Sequence, residues 1–133
     1  MIKEDYVSFE TAKLLKEKGF KNSSGIILGK SGRHYNKYET FPSKDMAIEA
    51  SGDCEDKCPL VTLQMTMKWL REVHHIFIDI DYDTREFGDK PYFTLITNMN
   101  TCDYYKGKNL PLNNATYKGA AEAAIKYCLE NLI

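Results

Sequence analysis

No stretch of this sequence approaches the roughly 20 consecutive apolar residues that a membrane-spanning helix needs. Its first residues, Met1-Ile2-Lys3-Glu4-Asp5, are charged where a secretory signal would carry an apolar core. Both absences predict a cytoplasmic protein with no membrane partner. An excess of one charge is missing too. The formal net charge is −1, so no global field draws the chain to nucleic acid. There is no internal repeat and no low-complexity tract. The C-x-x-C spacing of a thiol redox pair is also absent.

What is present is an ordinary globular composition, 43% hydrophobic and 28% charged. The 12% aromatic content argues against disorder. At 133 residues the chain is expected to form a single domain, 1–133, with a core that needs no staples. Cys54, Cys58, Cys102 and Cys128 are expected as reduced thiols in a cytoplasm. In an oxidising compartment four cysteines allow three pairings, and the spacing does not choose among them.

Charge is unevenly spread. Lys13 to Lys44 holds eight basic residues and two Glu, a local +6. Asp45 to Asp56 holds five acids and no base, and Asp79 to Asp89 holds five acids with Arg85. Such blocks read first as self-complementary surface.

Local signals give an element order of α-β-β-α-β-β-α. Ser8 is a good N-cap, Val7 and Ala12 sit at staple positions, and Gly19 with Phe20 fit a Schellman stop, so 9–18 reads as helix. Ile26-Ile27-Leu28 and the Tyr35, Tyr38, Phe41 segment suggest a hairpin. Pro42 to Pro59 reads as loop, with room for a helical turn at 44–50. Thr62 is a second N-cap candidate, and Leu63, Met67 and Leu70 recur at helical spacing to about Val73. Trp69, one turn after Met65 and one before Val73, is expected to be largely buried.

Then the period changes. Ile76, Ile78, Ile80 and Tyr82 alternate with Phe77, Asp79, Asp81 and Asp83, the pattern of a strand with one wet face. Tyr92 to Thr97 is its hairpin partner across a turn at 85–90. Thr101 to Ala115, rich in Asn with Gly107 and Pro111, reads as loop. The last helix starts at Thr116, with a stripe of Ala121, Ile125, Cys128 and Leu132. Lys118 and Gly119 make its first turn prone to fraying. The fold class is therefore α+β, an antiparallel sheet with helices packed on one face.

Candidate chemistry is sparse. Ser24 to Ser31 ends like a phosphate-binding loop, but its Ile-Ile-Leu centre wants to be a strand and no helix follows. Asp79-Ile80-Asp81-Tyr82-Asp83 opens like a calcium loop. Thr84 and Lys90 stand where that loop needs Gly and Glu, so the carboxylates read as a solvated strand face. Cys54 and Cys58 could join His34 and His75 as zinc ligands or form a thiol enzyme site, although three residues separate the cysteines and no second pair matches. His74 and His75 read first as histidines at a helix C-terminus. Arg33, Tyr35, Lys37, Tyr38 and Lys44 interleave aromatic and basic side chains as single-strand nucleic-acid platforms do.

Three stretches, 6–20, 62–73 and 120–132, resemble small uncharacterised proteins encoded by phages and prophages of gut bacteria. They run YVSFETAKLLKEKGF, TLQMTMKWLREV and AAEAAIKYCLENL and cover about a third of the chain. The sequence departs from that pattern at Lys118-Gly119, where acidic residues are expected. The resemblance implies a phage-accessory role in the cytoplasm of a bacterial host and supplies no activity. No constellation meets a geometric requirement for catalysis. The sequence therefore favours a non-enzymatic protein-interaction module with an unidentified protein partner and no cofactor. The alternatives are nucleic-acid binding through residues 30–44 and a metal or thiol enzyme on Cys54 and Cys58.

Overall fold

A computed structural model describes residues 5–20, 25–29, 38–41, 57–107 and 110–133, with the backbone alone described in the strands between 25 and 60. Among these residues the fold is α+β, and no helix is long and apolar enough to cross a membrane. The chain divides into two compact units, Met1–Thr62 and Leu63–Ile133.

The first unit opens with helix α1, Phe9–Glu17. Its ends follow from local chemistry. Ser8 Oγ accepts from the Thr11 backbone N–H at 3.3 Å, satisfying one of the helix's orphan donors. Val7 and Ala12 are both buried, as a hydrophobic staple requires. At the other end Gly19 takes φ 86°, Gly19 N–H donates to Lys16 O at 3.2 Å, and Phe20 N–H donates to Leu15 O at 3.0 Å. That is a complete Schellman motif, with Phe20 buried beside Leu15.

Three strands follow: β1 (Gly25–Gly29), β2 (Tyr38–Phe41) and β3 (Lys57–Leu60), antiparallel in the order β2-β1-β3. The expected hairpin is β1 with β2, Ile27 standing opposite Thr40. β3 corrects the reading of 42–59 as loop. Pro59 lies within it, opposite Ile26, at the sheet edge, where a residue with no N–H costs no ladder bond. The suggested helical turn at 44–50 lies outside the described residues. The strand reading of Ile26-Ile27-Leu28, which spoke against a phosphate loop, is met by β1.

The second unit carries α2 (Leu63–His74), β4 (Ile76–Tyr82), the short α3 (Thr84–Phe87), β5 (Tyr92–Asn98), β6 (Asp103–Tyr104), β7 (Leu112–Asn114) and α4 (Tyr117–Asn131). β4 and β5 form the expected hairpin, with Ile78 opposite Ile96. On its other edge β5 pairs twice, with β6 through Thr97–Tyr104 and with β7 through Phe93–Asn113. These two short strands lie in the segment expected to be loop. Its Asn and Gly content marks turns, but β5 would otherwise leave an edge unpaired, and the segment's backbone fills it.

Both long helices cover one face of this sheet. Ile76, Ile78, Thr94 and Ile96 are buried on that face. Leu63, Thr66, Met67 and Leu70 of α2 are buried with them, as are Ala120, Ala121, Ala124, Ile125, Cys128 and Leu129 of α4. The alanines let α4 approach closely. Trp69 is half-buried rather than core, edge-on to the His74 ring at 4.6 Å. Met65 and Val73, its neighbours one turn away, are 49% and 55% exposed.

The start of α4 also corrects an expectation. It is held: Thr116 Oγ1 accepts from Gly119 N–H at 3.0 Å, and Thr116 N–H donates to Asn114 Oδ1 at 3.4 Å. Gly119 fits this packing, because a Cβ there would run into the Asn114 side chain and stand 2.9 Å from Thr116 Oγ1, so a neighbouring side chain would have to move. Overpacking of this kind costs about 1–3 kcal/mol. The better helix propensity of alanine offsets at most about 1 kcal/mol. Gly119→Ala is therefore expected to lower stability, by up to about 2 kcal/mol on these figures. Urea denaturation followed by circular dichroism reads this directly. An unchanged or raised midpoint would mean that Asn114 moves aside freely.

Candidate functional site

In a strand successive side chains point to opposite faces. With Ile76 and Ile78 under the helices, Phe77, Asp79 and Asp81 point outward. The register carries that parity across the sheet: Phe77 stands opposite Thr97, Asp79 opposite Leu95 and Asp81 opposite Phe93. Tyr104 continues the first row beyond Thr97, and Asn113 continues the third beyond Phe93.

An outward face normally carries polar groups, yet four of the eight strand positions on this one, Phe77, Phe93, Leu95 and Tyr104, are aromatic or apolar. Phe77 is 41% exposed and Tyr104 is 59% exposed. Leu95, in the adjoining row opposite Asp79, is half-buried. Phe93 is partly covered because Phe87 of α3 lies against it, ring centroids 5.0 Å apart. α3 is placed by Asp83, whose Oδ1 accepts from Arg85 N–H at 2.9 Å. Asp83 thus leaves the row of carboxylates to cap a helix. Asp79 and Asp81 remain on the face, and its eight strand positions include no basic residue.

A second aromatic group lies on the helix side of the sheet. Tyr82, Tyr92 and Tyr117 meet edge-on, with ring centroids at 5.0 Å and 6.2 Å. The Tyr117 hydroxyl accepts from Gln64 Nε2 at 3.3 Å. These rings contact one another and tie the starts of α2 and α4 to the sheet end. Their rings have one another as partners, although Tyr82 and Tyr117 remain 61% and 44% exposed.

The residues singled out from the sequence fall elsewhere. Arg33, His34, Tyr35, Lys37, Lys44 and Cys54 lie outside the described residues. Tyr38 begins β2 opposite Gly29, and Cys58 lies in β3 opposite Ile27. His75 is exposed, at φ 55°, where the chain turns from α2 into β4, and its carbonyl accepts from Met99 N–H at 2.9 Å. Burial, and then the charge of neighbouring His75, hold the His74 imidazole below its usual pKa. Among the described residues no three His, Cys, Asp or Glu are grouped to hold a metal ion. Cys102 is exposed and Cys128 buried, both as free thiols. Phe77, Leu95 and Tyr104 belong to none of the motifs named from the sequence. The signal for the first was legible: a phenylalanine set among aspartates in the wet half of an alternation.

No protein-family model, curated protein or solved structure matches this chain.

Proposed function

We propose that this chain is a non-enzymatic protein-interaction module that binds its partner through the outward face of the β4–β5 sheet. The observation that carries the reading is the exposure of Phe77 and Tyr104 where the pleat points to solvent. Aromatic side chains with a few charged neighbours are what interface hot spots are made of. The likeness of 6–20, 62–73 and 120–132 to phage and prophage proteins supports a phage-accessory module acting on a host or phage protein in the bacterial cytoplasm.

The test is affinity capture with tagged full-length protein from the bacterium that carries the gene, using wild type beside Phe77→Asp. Both side chains are surface groups, so the variant should keep its melting temperature to within a few degrees. A hot-spot loss of about 2 kcal/mol or more lowers capture of a specific partner by roughly thirtyfold. Equal recovery by both proteins places the interface elsewhere. Turnover on a substrate panel with no captured protein overturns the reading.

A further inference from the structure

The two short strands that share the outer edge of β5 leave a gap between them. β6 pairs with Thr97 and Asn98, β7 with Tyr92, Phe93 and Thr94. Just after β6, Tyr105 N–H donates to Ile96 O at 2.8 Å. In the gap lies a pocket of about 220 Å³. Thr94, Leu95 and Ile96 of β5 line it on one side, Leu110 and Pro111 on the other, and Tyr104 and Lys106 also border it.

Size decides what it can hold. Pockets for whole small ligands run to about 300–1,000 Å³, whereas a cavity of about 150 Å³ accepts benzene. The pocket has room for one ring and little more. The pocket is continuous with the outward face, since Leu95 and Tyr104 belong to both. Among that face's strand positions the charged residues are Asp79 and Asp81, and Lys106 is the one cation among the pocket's described lining residues.

We infer that this pocket seats one aromatic side chain of a partner segment whose flanking lysines or arginines lie over Asp79 and Asp81. The inference rests on the interaction-module reading above and names the chemistry of its partner. The ring supplies the buried anchor, the β5 edge fixes its position, and the carboxylates select the flanking charge.

The experiment titrates the isotope-labelled full chain with three capped peptides and follows backbone amides by NMR. Their sequences are Lys-Lys-Phe-Lys-Lys, Lys-Lys-Ala-Lys-Lys and Glu-Glu-Phe-Glu-Glu. The first should shift the amides of Leu95, Ile96, Tyr105, Gly107 and Leu110 together with those of Phe77, Asp79 and Asp81. The alanine peptide should bind at least about tenfold more weakly. The glutamate peptide should also bind more weakly, by a margin that narrows as salt is added. Leu110→Trp should fill the pocket and abolish the preference for phenylalanine. Tyr104→Ala, at an exposed position that should leave folding intact, should weaken the first peptide about tenfold. No shift at the pocket amides, equal binding of the Phe and Ala peptides, or equal binding of the Lys and Glu peptides overturns the inference. Capture of a partner that survives Leu110→Trp but not Phe77→Asp would overturn the pocket's role while leaving the interaction surface standing.

Discussion

Leu70→Ala is expected to cost about 2–5 kcal/mol, out of a total near 5–15 kcal/mol for a protein of this kind. Leu70 is fully buried on α2, in one layer with Met67, Leu63 and the isoleucines Ile76, Ile78 and Ile96. The loss has two parts, the transfer of the deleted methyl groups and the cavity left behind. How far the buried side chains around the site relax into the cavity sets where in that range the value falls. Val73→Ala is the control on the same helix, since Val73 is 55% exposed and its loss should stay within about 0.5 kcal/mol. Urea denaturation of both variants reads the difference, with an unchanged m-value showing that stability alone has moved. Equal losses would mean that α2 turns a different face to the sheet.

That face is also where the sequence was partly misread. Leu63, Met67 and Leu70 carry the helical period of the core, and all three are buried. Trp69 is one residue from Leu70, about 100° around the helix. It belongs with Met65 and Val73 to a stripe of its own, and two members of that stripe are exposed. Size and rarity suggested burial for the tryptophan, but helical phase decides it. Local chemistry was read more easily. The Ser8 cap, the Val7–Ala12 staple and the Gly19 stop each depend on a few neighbouring residues, and all three are formed. The short strands β3, β6 and β7 were not legible because they depend on a distant partner. Lys57 to Leu60 contains a proline, and Leu112 to Asn114 ends in two asparagines. Neither has a strand pattern, and each pairs because β1 or β5 offers it an open edge.

The candidate site divides in the same way. The alternation that made β4 a strand also fixed which of its residues point outward, so Phe77, Asp79 and Asp81 could be placed together from the sequence. Leu95 and Tyr104 could not, because their positions depend on the β4–β5 register and on the β6 pairing. Gly119 is a further instance. It looks like a weak residue in a first helical turn until Asn114 and Thr116 are seen to occupy the space a side chain would need.

Above pH 9 the protein should lose stability in a way that one thiol largely sets. Cys128 is fully buried on α4, and burial, which deprives the thiolate of water, pushes its pKa from 9.0 to about 12 against a small lowering from a backbone hydrogen bond. In the unfolded chain the same thiol ionises near 9. Between those values the unfolded state binds fewer protons than the folded one, so raising the pH favours unfolding. The contribution is fully present below pH 9. It declines at about 1.4 kcal/mol per pH unit, and the accumulated loss reaches roughly 4 kcal/mol by pH 12. The comparison that isolates the thiol is with Cys128→Ala. The variant should be less stable at neutral pH, because a buried sulfur has been removed. It should then lose stability less steeply above pH 9, so that the two curves converge. Denaturant midpoints measured under reducing conditions from pH 7 to the alkaline limit give both curves, and parallel curves would show that Cys128 ionises as readily in the folded protein as in the unfolded chain.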